Sequence, residues 1–334
     1  MTSTDLTPHQ YTPLPEPVPI TEQNWPEGTV PLVSICCITY NHEKFIEECL
    51  EGFLMQETTF PVEILIHDDA STDRTADIIR EYAARYPQLF RPIYQTENQY
   101  SQGKKPNVMF NFPRAKGKYI ALCEGDDYWT YALKLQTQVD FLEAHPNYVL
   151  CCHNAVVIDT TGNLLSYSKL PEKSQRDHTG YELIVGSNWI LTLSMCLKKV
   201  PILSNMPPEY FRVKNGDNFL TALLGSYGGA KYMEEIKPAV YRVHKGGIWS
   251  IKSNAEKEEM KITLYWWLYS YFSRIGRLDY STAYKKKMLQ RVKNWPEISD
   301  VKLDKKYRKL KKLFCKIKKY KKLFMAQCDY IWWK

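Results

Sequence analysis

The chain has 334 residues, 44% of them hydrophobic and 25% charged, with nine cysteines and a net charge of +8. That balance fits a folded protein with a sizeable core. It excludes a uniformly basic surface, because residues 301–334 hold 13 Lys/Arg against 2 Asp/Glu and the first 300 residues hold 32 against 35.

The cysteines form no CxxC pair and no Cys/His cluster of zinc spacing, and Cys36, Cys37, Cys123, Cys151, Cys152 and Cys196 lie in apolar runs. Buried free thiols in a reducing cytosol account for them better than a disulfide framework. The N-terminus lacks a basic segment followed by an apolar one, and no stretch is long enough to span a bilayer as a helix. The expected location is cytoplasmic, with any membrane contact peripheral.

In chain order, residues 1–30 are rich in Pro, Thr and Glu without periodicity and read as an extended arm. Leu32 to Thr39 is a continuous apolar run, the pattern of a strand buried on both faces. Tyr40-Asn41-His42 breaks it, and Phe45, Ile46, Cys49, Leu50, Phe53 and Leu54 follow at helical spacing. A second buried strand, Val62 to Ile66, ends at His67-Asp68-Asp69-Ala70-Ser71-Thr72-Asp73. Thr72 or Asp73 is placed to cap the next helix, whose buried face is Ile78, Ile79, Tyr82 and Ala83. A third strand is expected near Pro92–Gln95, and a fourth over Tyr119 to Cys123, ending in Glu124-Gly125-Asp126-Asp127.

Strand and helix alternating in this way predict an α/β fold with a mixed, mainly parallel sheet, in which ligands gather at the carboxyl ends of the strands. Those ends carry Thr39-Tyr40-Asn41, Asp68-Asp69 and the acidic turn after Cys123. Three carboxylates so close repel one another and resist joint ionisation. A divalent cation holding a polyphosphate would relieve the repulsion; a solvated acidic turn is the alternative. Further on, a helix is expected before His145-Pro146, a strand over Val149 to Ile158, a helix start at Asn215-Gly216-Asp217-Asn218 and a strand over Glu235 to Val243. An aromatic helical stretch, Ile262 to Ile275, and the basic tail close the chain. Residues 160–200 show no clear pattern.

Val33-Ser34-Ile35 through Asn41, Glu63 through Asp73, and Gly117 through Asp127 together resemble the bacterial family 2 glycosyltransferases. The resemblance implies a GT-A fold, transfer from a nucleotide-diphosphate sugar (a UDP-sugar is expected) with inversion, and a divalent metal, Mn²⁺ or Mg²⁺. It places nucleotide contacts on Asp68, Asp69, Thr39 and Asn41, with Asp126 near the ribose. The metal falls to Asp127, with Asp126 as the alternative ligand; Glu124 stands where the family has Asp and is a lesser candidate. Asp217 is the expected base that takes the acceptor's proton. In Tyr241 to Ser250, which also resembles a stretch of some family members, His244 is a candidate for the metal or diphosphate. Arg242 and Lys245 offer charge there and Trp249 a sugar-stacking face. Asn107 and Arg114 are weaker nucleotide candidates.

The expected organisation is an arm over 1–30 and a glycosyltransferase domain over 31–250, with a nucleotide-binding half to 130 and an acceptor half from 131. A helical extension follows over 251–334. Residues 302–324 interleave lysines with Leu310, Leu313, Phe314, Ile317, Tyr320 and Phe324 on one helical face, before Ile331-Trp332-Trp333. That pattern suits an anionic membrane surface, with a helix packed on the catalytic domain as the alternative, and no nucleic-acid partner is expected. The expected acceptor is a glycan or lipid-linked sugar in surface polysaccharide or lipopolysaccharide synthesis. A nucleotidyltransferase and a non-catalytic nucleotide-sugar or glycan-binding module are the alternatives. The first would carry a Gly-rich basic loop after the first strand, where Thr39-Tyr40-Asn41-His42 stands.

Overall fold

The structure, a computed structural model, describes residues 11–247 and 252–294. Trp249 and the basic tail lie outside the described residues. The chain divides into a unit of residues 1–288 and a unit of residues 289–334, and in the second the described residues 289–294 are helical to Lys293.

Strands β1 (Val33–Thr39), β2 (Val62–Asp68), β3 (Phe90–Tyr94) and β4 (Tyr119–Glu124) run parallel to their neighbours in the order β3-β2-β1-β4. Helix α1 (Ile46–Leu54) follows β1, α2 (Thr75–Arg85) follows β2, and α3 (Lys134–Ala144) follows the acidic turn. Beyond β4 the same sheet continues through three later strands. These are β5 (Tyr148–Cys152), with β6 (Ala155–Ile158) and β7 (Leu164–Ser166) forming part of a second sheet, then β8 (Cys196–Lys198) and β9 (Gly229–Tyr232). β8 is inserted antiparallel between β4 and β5, and β9 pairs parallel with β5. β10 (Ala239–Arg242) joins β6 and β7 in the smaller sheet.

The continuous apolar runs arise because alternate residues of each strand face different packed layers. Ile35, Cys37, Ile64, Ile66, Ala121 and Cys123 belong to one core with α1 and α2. Cys36, Leu65, Ile120 and Leu122 belong to the other. That second core includes α5 (Gly216–Leu224) and two C-terminal helices, α6 (Asn254–Arg274) and α7 (Leu278–Lys293), through Phe219, Leu264, Leu268, Phe272 and Tyr284. The helices after residue 250 therefore contribute to the same core as the sheet. A capping box, Ser253 with Glu256, starts α6. The described cysteines are free and buried.

Three expectations change in detail. The run Val149 to Ile158 is two strands in two sheets, because the chain turns at His153-Asn154. Asn154 Oδ1 accepts the N–H of Ala155 (2.9 Å) and Leu170 (3.1 Å), which fixes that turn. The arm is not free over residues 11–30: Val18–Pro19 pairs with Glu57–Thr58, and Ile20 is fully buried. Residues 160–212 fold largely as short elements, 3-10 turns at Glu172–Ser174, Thr192–Ser194, Pro201–Ser204 and Pro208–Arg212 around the small helix α4 (Gly180–Ile184).

Candidate active site

The carboxyl ends of β1, β2 and β4 lie level, with Thr39 paired to Asp68 and Ile38 to Glu124. Asn41 takes a left-handed conformation (φ 55°), tolerable for Asn because its short amide bonds locally. Its Oδ1 accepts the Thr72 N–H at 2.8 Å, and its own N–H donates to Ser71 Oγ at 2.9 Å. Asn41 thus ties the loop after β1 to the loop after β2. Ala70, beside it, is also left-handed (φ 64°), a strained position for a residue with a Cβ.

Asp68 accepts the Ser71 hydroxyl (2.5 Å) and N–H (3.2 Å) in an Asx turn. Burial raises its carboxyl above the usual range, against those hydrogen bonds. Asp69 accepts the N–H groups of Gln99 (2.7 Å) and Tyr100 (2.9 Å), anchoring the loop after β3. Asp73 caps the start of α2 by accepting the Thr75 N–H at 3.0 Å. Asn107 and Arg114 sit in a π-helical turn and the short helix after it. Asn107 Oδ1 accepts Asn111 Nδ2 (2.9 Å), and Arg114 donates to the Ile66 carbonyl at 2.9 Å, so both brace the sheet.

The acidic turn turns sharply at Gly125, where a Cβ would stand 2.7 Å from Thr39 Oγ1. A larger residue would push the turn off the end of β1. The turn is then stitched to β10 by paired backbone hydrogen bonds between Tyr128 and Val240 (3.2 and 2.9 Å). This pairing brings Arg242 and His244 to the acids. Arg242, 5% exposed, donates its backbone N–H to Asp127 Oδ1 (2.9 Å) and its Nε to the Asp126 carbonyl (3.2 Å). Its guanidinium also pairs with Glu48 and lies 4.7 Å over the Phe45 ring. Arg242 is thus a clamp on the turn.

His244 Nε2 lies 2.8 Å from Asp126 Oδ2, and His42 Nε2 lies 3.8 Å from the same oxygen. One ligand atom from each of His42, Asp126 and His244 falls within 4.8 Å of the others, a spacing one divalent ion can bridge. Burial opposes ionisation of Asp126, but the His244 hydrogen bond and the two imidazoles outweigh it and hold its carboxyl below the usual range. Its neighbours go the other way. Burial, then the charges of Asp126 and Asp217, push Glu124 up to about 8. Burial, then Asp126 and Glu124, raise Asp127 well above the carboxylate range.

Asp217 is in the first turn of α5 with an exposed side chain. The surrounding protein still raises its carboxyl by desolvation, overriding its local hydrogen bonds and the nearby Lys105. A helix start alone would lower it. Burial raises the Tyr241 hydroxyl first, then the charges of Asp127, Asp126, Glu124 and Asp217. Lys169 Nζ lies 3.7 Å over the Tyr241 ring. Lys245 is exposed and stands apart from these contacts in the turn after β10.

Sequence reasoning named Asp126, His244 and Asp217 and passed over His42, Lys105, Lys169 and Tyr241. Their partners are distant in the chain, so no local spacing marks them.

A family profile described as glycosyl transferase family 2 matches residues 34–194. A Mycobacterium tuberculosis protein, itself uncharacterized, is 42% identical over 217 residues, 65% of this chain and 60% of that protein. The chain thus spans about 60% of the length of the curated relatives it matches first. Shorter matches run to Bacillus subtilis glycosyltransferases, one of them named for teichuronic acid biosynthesis. Among solved structures, S. aureus TarS (residues 1–349) in complex with UDP-GlcNAc superposes with a TM-score of 0.53 at 18% identity, over 70% of this chain and 66% of that one. The mannosyltransferase PcManGT of Pyrobaculum calidifontis, in complex with GDP-Man and Mn²⁺, gives 0.50 at 19% identity, over 84% and 72%. At these identities the likeness is one of fold, the GT-A arrangement of a mainly parallel sheet with flanking helices.

Proposed function

Through residues 34–194 this chain belongs to glycosyl transferase family 2, and on that premise we propose that it moves a sugar from a nucleotide-diphosphate donor to an acceptor hydroxyl with inversion. The observation that carries the reading is the acidic turn at the end of β4, where Asp126 meets His244 at 2.8 Å and His42 at 3.8 Å and Asp127 accepts the Arg242 N–H. Acids on the donor side and one on the acceptor side are what displacement at an anomeric carbon needs.

Residues of the β1 and β2 loops form the nucleotide end. Asp68 and Asp69 each keep a second lone pair per oxygen beyond their loop bonds, available to a base N–H. Thr39 and Asn41 shape the floor beneath it. Asp126 and His244 fit a divalent ion, since carboxylate and imidazole stand at ligand spacing. When bound, that ion would stabilise charge developing on the leaving diphosphate. Asp127, whose Oδ1 accepts the Arg242 N–H, supports the turn.

Asp217 is the base. A hydroxyl is a poor nucleophile until its proton is taken, and a carboxyl raised by desolvation takes a proton better than an ordinary one. Lys105, whose ammonium donates to the Val213 carbonyl at 2.6 Å, holds the loop before α5 and limits how far Asp217 is raised. The acceptor proposed is a glycan or lipid-linked sugar of a surface polysaccharide. Peripheral attachment at an anionic membrane through the tail belongs to the same proposal. Among the described residues, no helix is long and apolar enough to cross a membrane.

A donor-hydrolysis screen over UDP-, GDP- and dTDP-sugars with Mn²⁺, with and without EDTA, tests the reading. Turnover of one donor class, lost on metal removal, is expected; turnover indifferent to complete metal removal would overturn the metal's part.

A further inference from the structure

The two imidazoles at the acidic turn relate to Asp126 differently. His244 Nε2 is at hydrogen-bond distance from Oδ2 (2.8 Å). His42 Nε2 points at the same oxygen from 3.8 Å, beyond hydrogen-bond reach. Yet His42 is firmly held. Its Nδ1 lies 3.1 Å from Thr39 Oγ1, and its backbone N–H donates to Thr75 Oγ1 at 2.8 Å. Its ring meets those of His244 and Phe45 at centroid distances of 5.7 and 6.3 Å. Thr39 thus engages Nδ1, and Nε2 is the ring nitrogen on the side of Asp126. A hydrogen bond at one ring nitrogen that orients the ring and turns the other nitrogen toward the site is the arrangement that supports metal-bound histidines.

We propose that His42 is a further protein ligand of the cation, completing a two-histidine, one-carboxylate set that selects Mn²⁺, Co²⁺ or Zn²⁺ over Mg²⁺. The inference rests on the metal-assisted reading above and adds to it a ligand and a metal preference. Metal–nitrogen bonds of about 2.0–2.1 Å put adjacent donors about 2.8–3.0 Å apart in an octahedral shell and about 3.3–3.4 Å apart in a tetrahedral one. The spacings to the Asp126 oxygen, 2.8 Å from His244 and 3.8 Å from His42, lie at the lower end of those values and just above them, with all three ligand atoms within 4.8 Å of one another. Imidazole nitrogen suits the transition ions, whereas Mg²⁺ favours an oxygen shell and parts reluctantly with water. Three protein donors also leave positions open for phosphate oxygens. The same three residues come from the loop after β1, the acidic turn and the end of β10, so a bound ion would pin all three together.

Pulsed EPR of the Mn²⁺-loaded, full-length wild type counts the bound imidazoles. Two coordinated nitrogens are expected, falling to one in His42→Ala. Titration of metal-free protein with Co²⁺, followed by visible absorption, should show His42→Ala binding at least about tenfold more weakly. Mg²⁺ should displace Co²⁺ from wild type only at large excess. A single nitrogen in wild type, equal Co²⁺ affinity in His42→Ala, or easy displacement by Mg²⁺ overturns the inference while leaving Asp126 and His244 as ligands. If wild type binds neither ion, or Asp126→Asn binds both as wild type does, the metal-assisted reading fails together with it. The nitrogen count in wild type needs no variant, so a folding defect in His42→Ala cannot mimic either result.

Discussion

At the ends of β1 and β2, Asn41, Asp68, Asp69 and Asp73 each fix a loop through hydrogen bonds to backbone N–H groups. Asp217 is held more lightly, on an exposed first turn of α5 that follows a short 3-10 turn. The first arrangement is preorganised: its polar groups are already oriented and would lose little freedom in holding the proposed nucleotide. The second is a single group presented on a surface of short elements, where acceptor shape can vary without disturbing the sheet. A transferase that binds one donor and distinguishes acceptors has reason to be built so.

Asp126→Asn should do most to break the donor side. It removes the charge that His42 and His244 face, and donor turnover with Mn²⁺ should fall by at least about 100-fold, the scale of losing one main electrostatic group. Unchanged turnover would detach the acidic turn from the chemistry. Next comes Asp69→Ala, which strips the acceptor from two buried or half-buried N–H groups. Urea unfolding should show a loss of about 3 kcal/mol, with donor affinity falling as the loop after β3 loosens. A loss under about 0.5 kcal/mol would mean that water replaces the carboxylate there without cost.

Gly125→Ala should cost about 1–3 kcal/mol by forcing the turn away from Thr39, read as a lower melting temperature. An unchanged melting temperature would show that the turn can shift freely.

The last effect is one of pH. Glu124 titrates at about 8 in the fold and near the ordinary glutamate value when unfolded. A raised carboxyl binds its proton more tightly in the fold, so this group's contribution weakens as pH climbs from the unfolded value through about 8. In metal-free protein, Glu124→Gln should therefore raise the melting temperature relative to wild type near pH 8–9 and not at acid pH. Added Mn²⁺ should shrink the difference. A pH-independent difference would contradict the crowding of acids.

The donor side was the legible side for the same physical reason that it is rigid. Parallel strands buried on both faces leave continuous apolar runs, and their ends must then break into polar residues, so Thr39, Asp68 and Glu124 announce themselves. Asp217 was visible as a helix start. The run Val149 to Ile158 misled because apolarity cannot mark where a strand leaves one sheet for another; the signal was His153-Asn154, two polar residues inside it. Residues 160–200 lack a pattern because their strands, turns and helix, three to five residues long, are too short for periodicity. His42 was hidden because a lone histidine after a strand gains meaning only once β10 brings His244 beside it.

The central claim is that Asp217 supplies the base while the strand ends hold the donor. Sugar transfer and donor binding measured side by side in wild type and Asp217→Asn test it most directly. The account predicts donor affinity within about twofold of wild type, because the lost interaction is made in the transition state. Turnover should meanwhile fall about 10²- to 10⁴-fold. An Asp217→Asn protein that turns over its donor at the wild-type rate would contradict it.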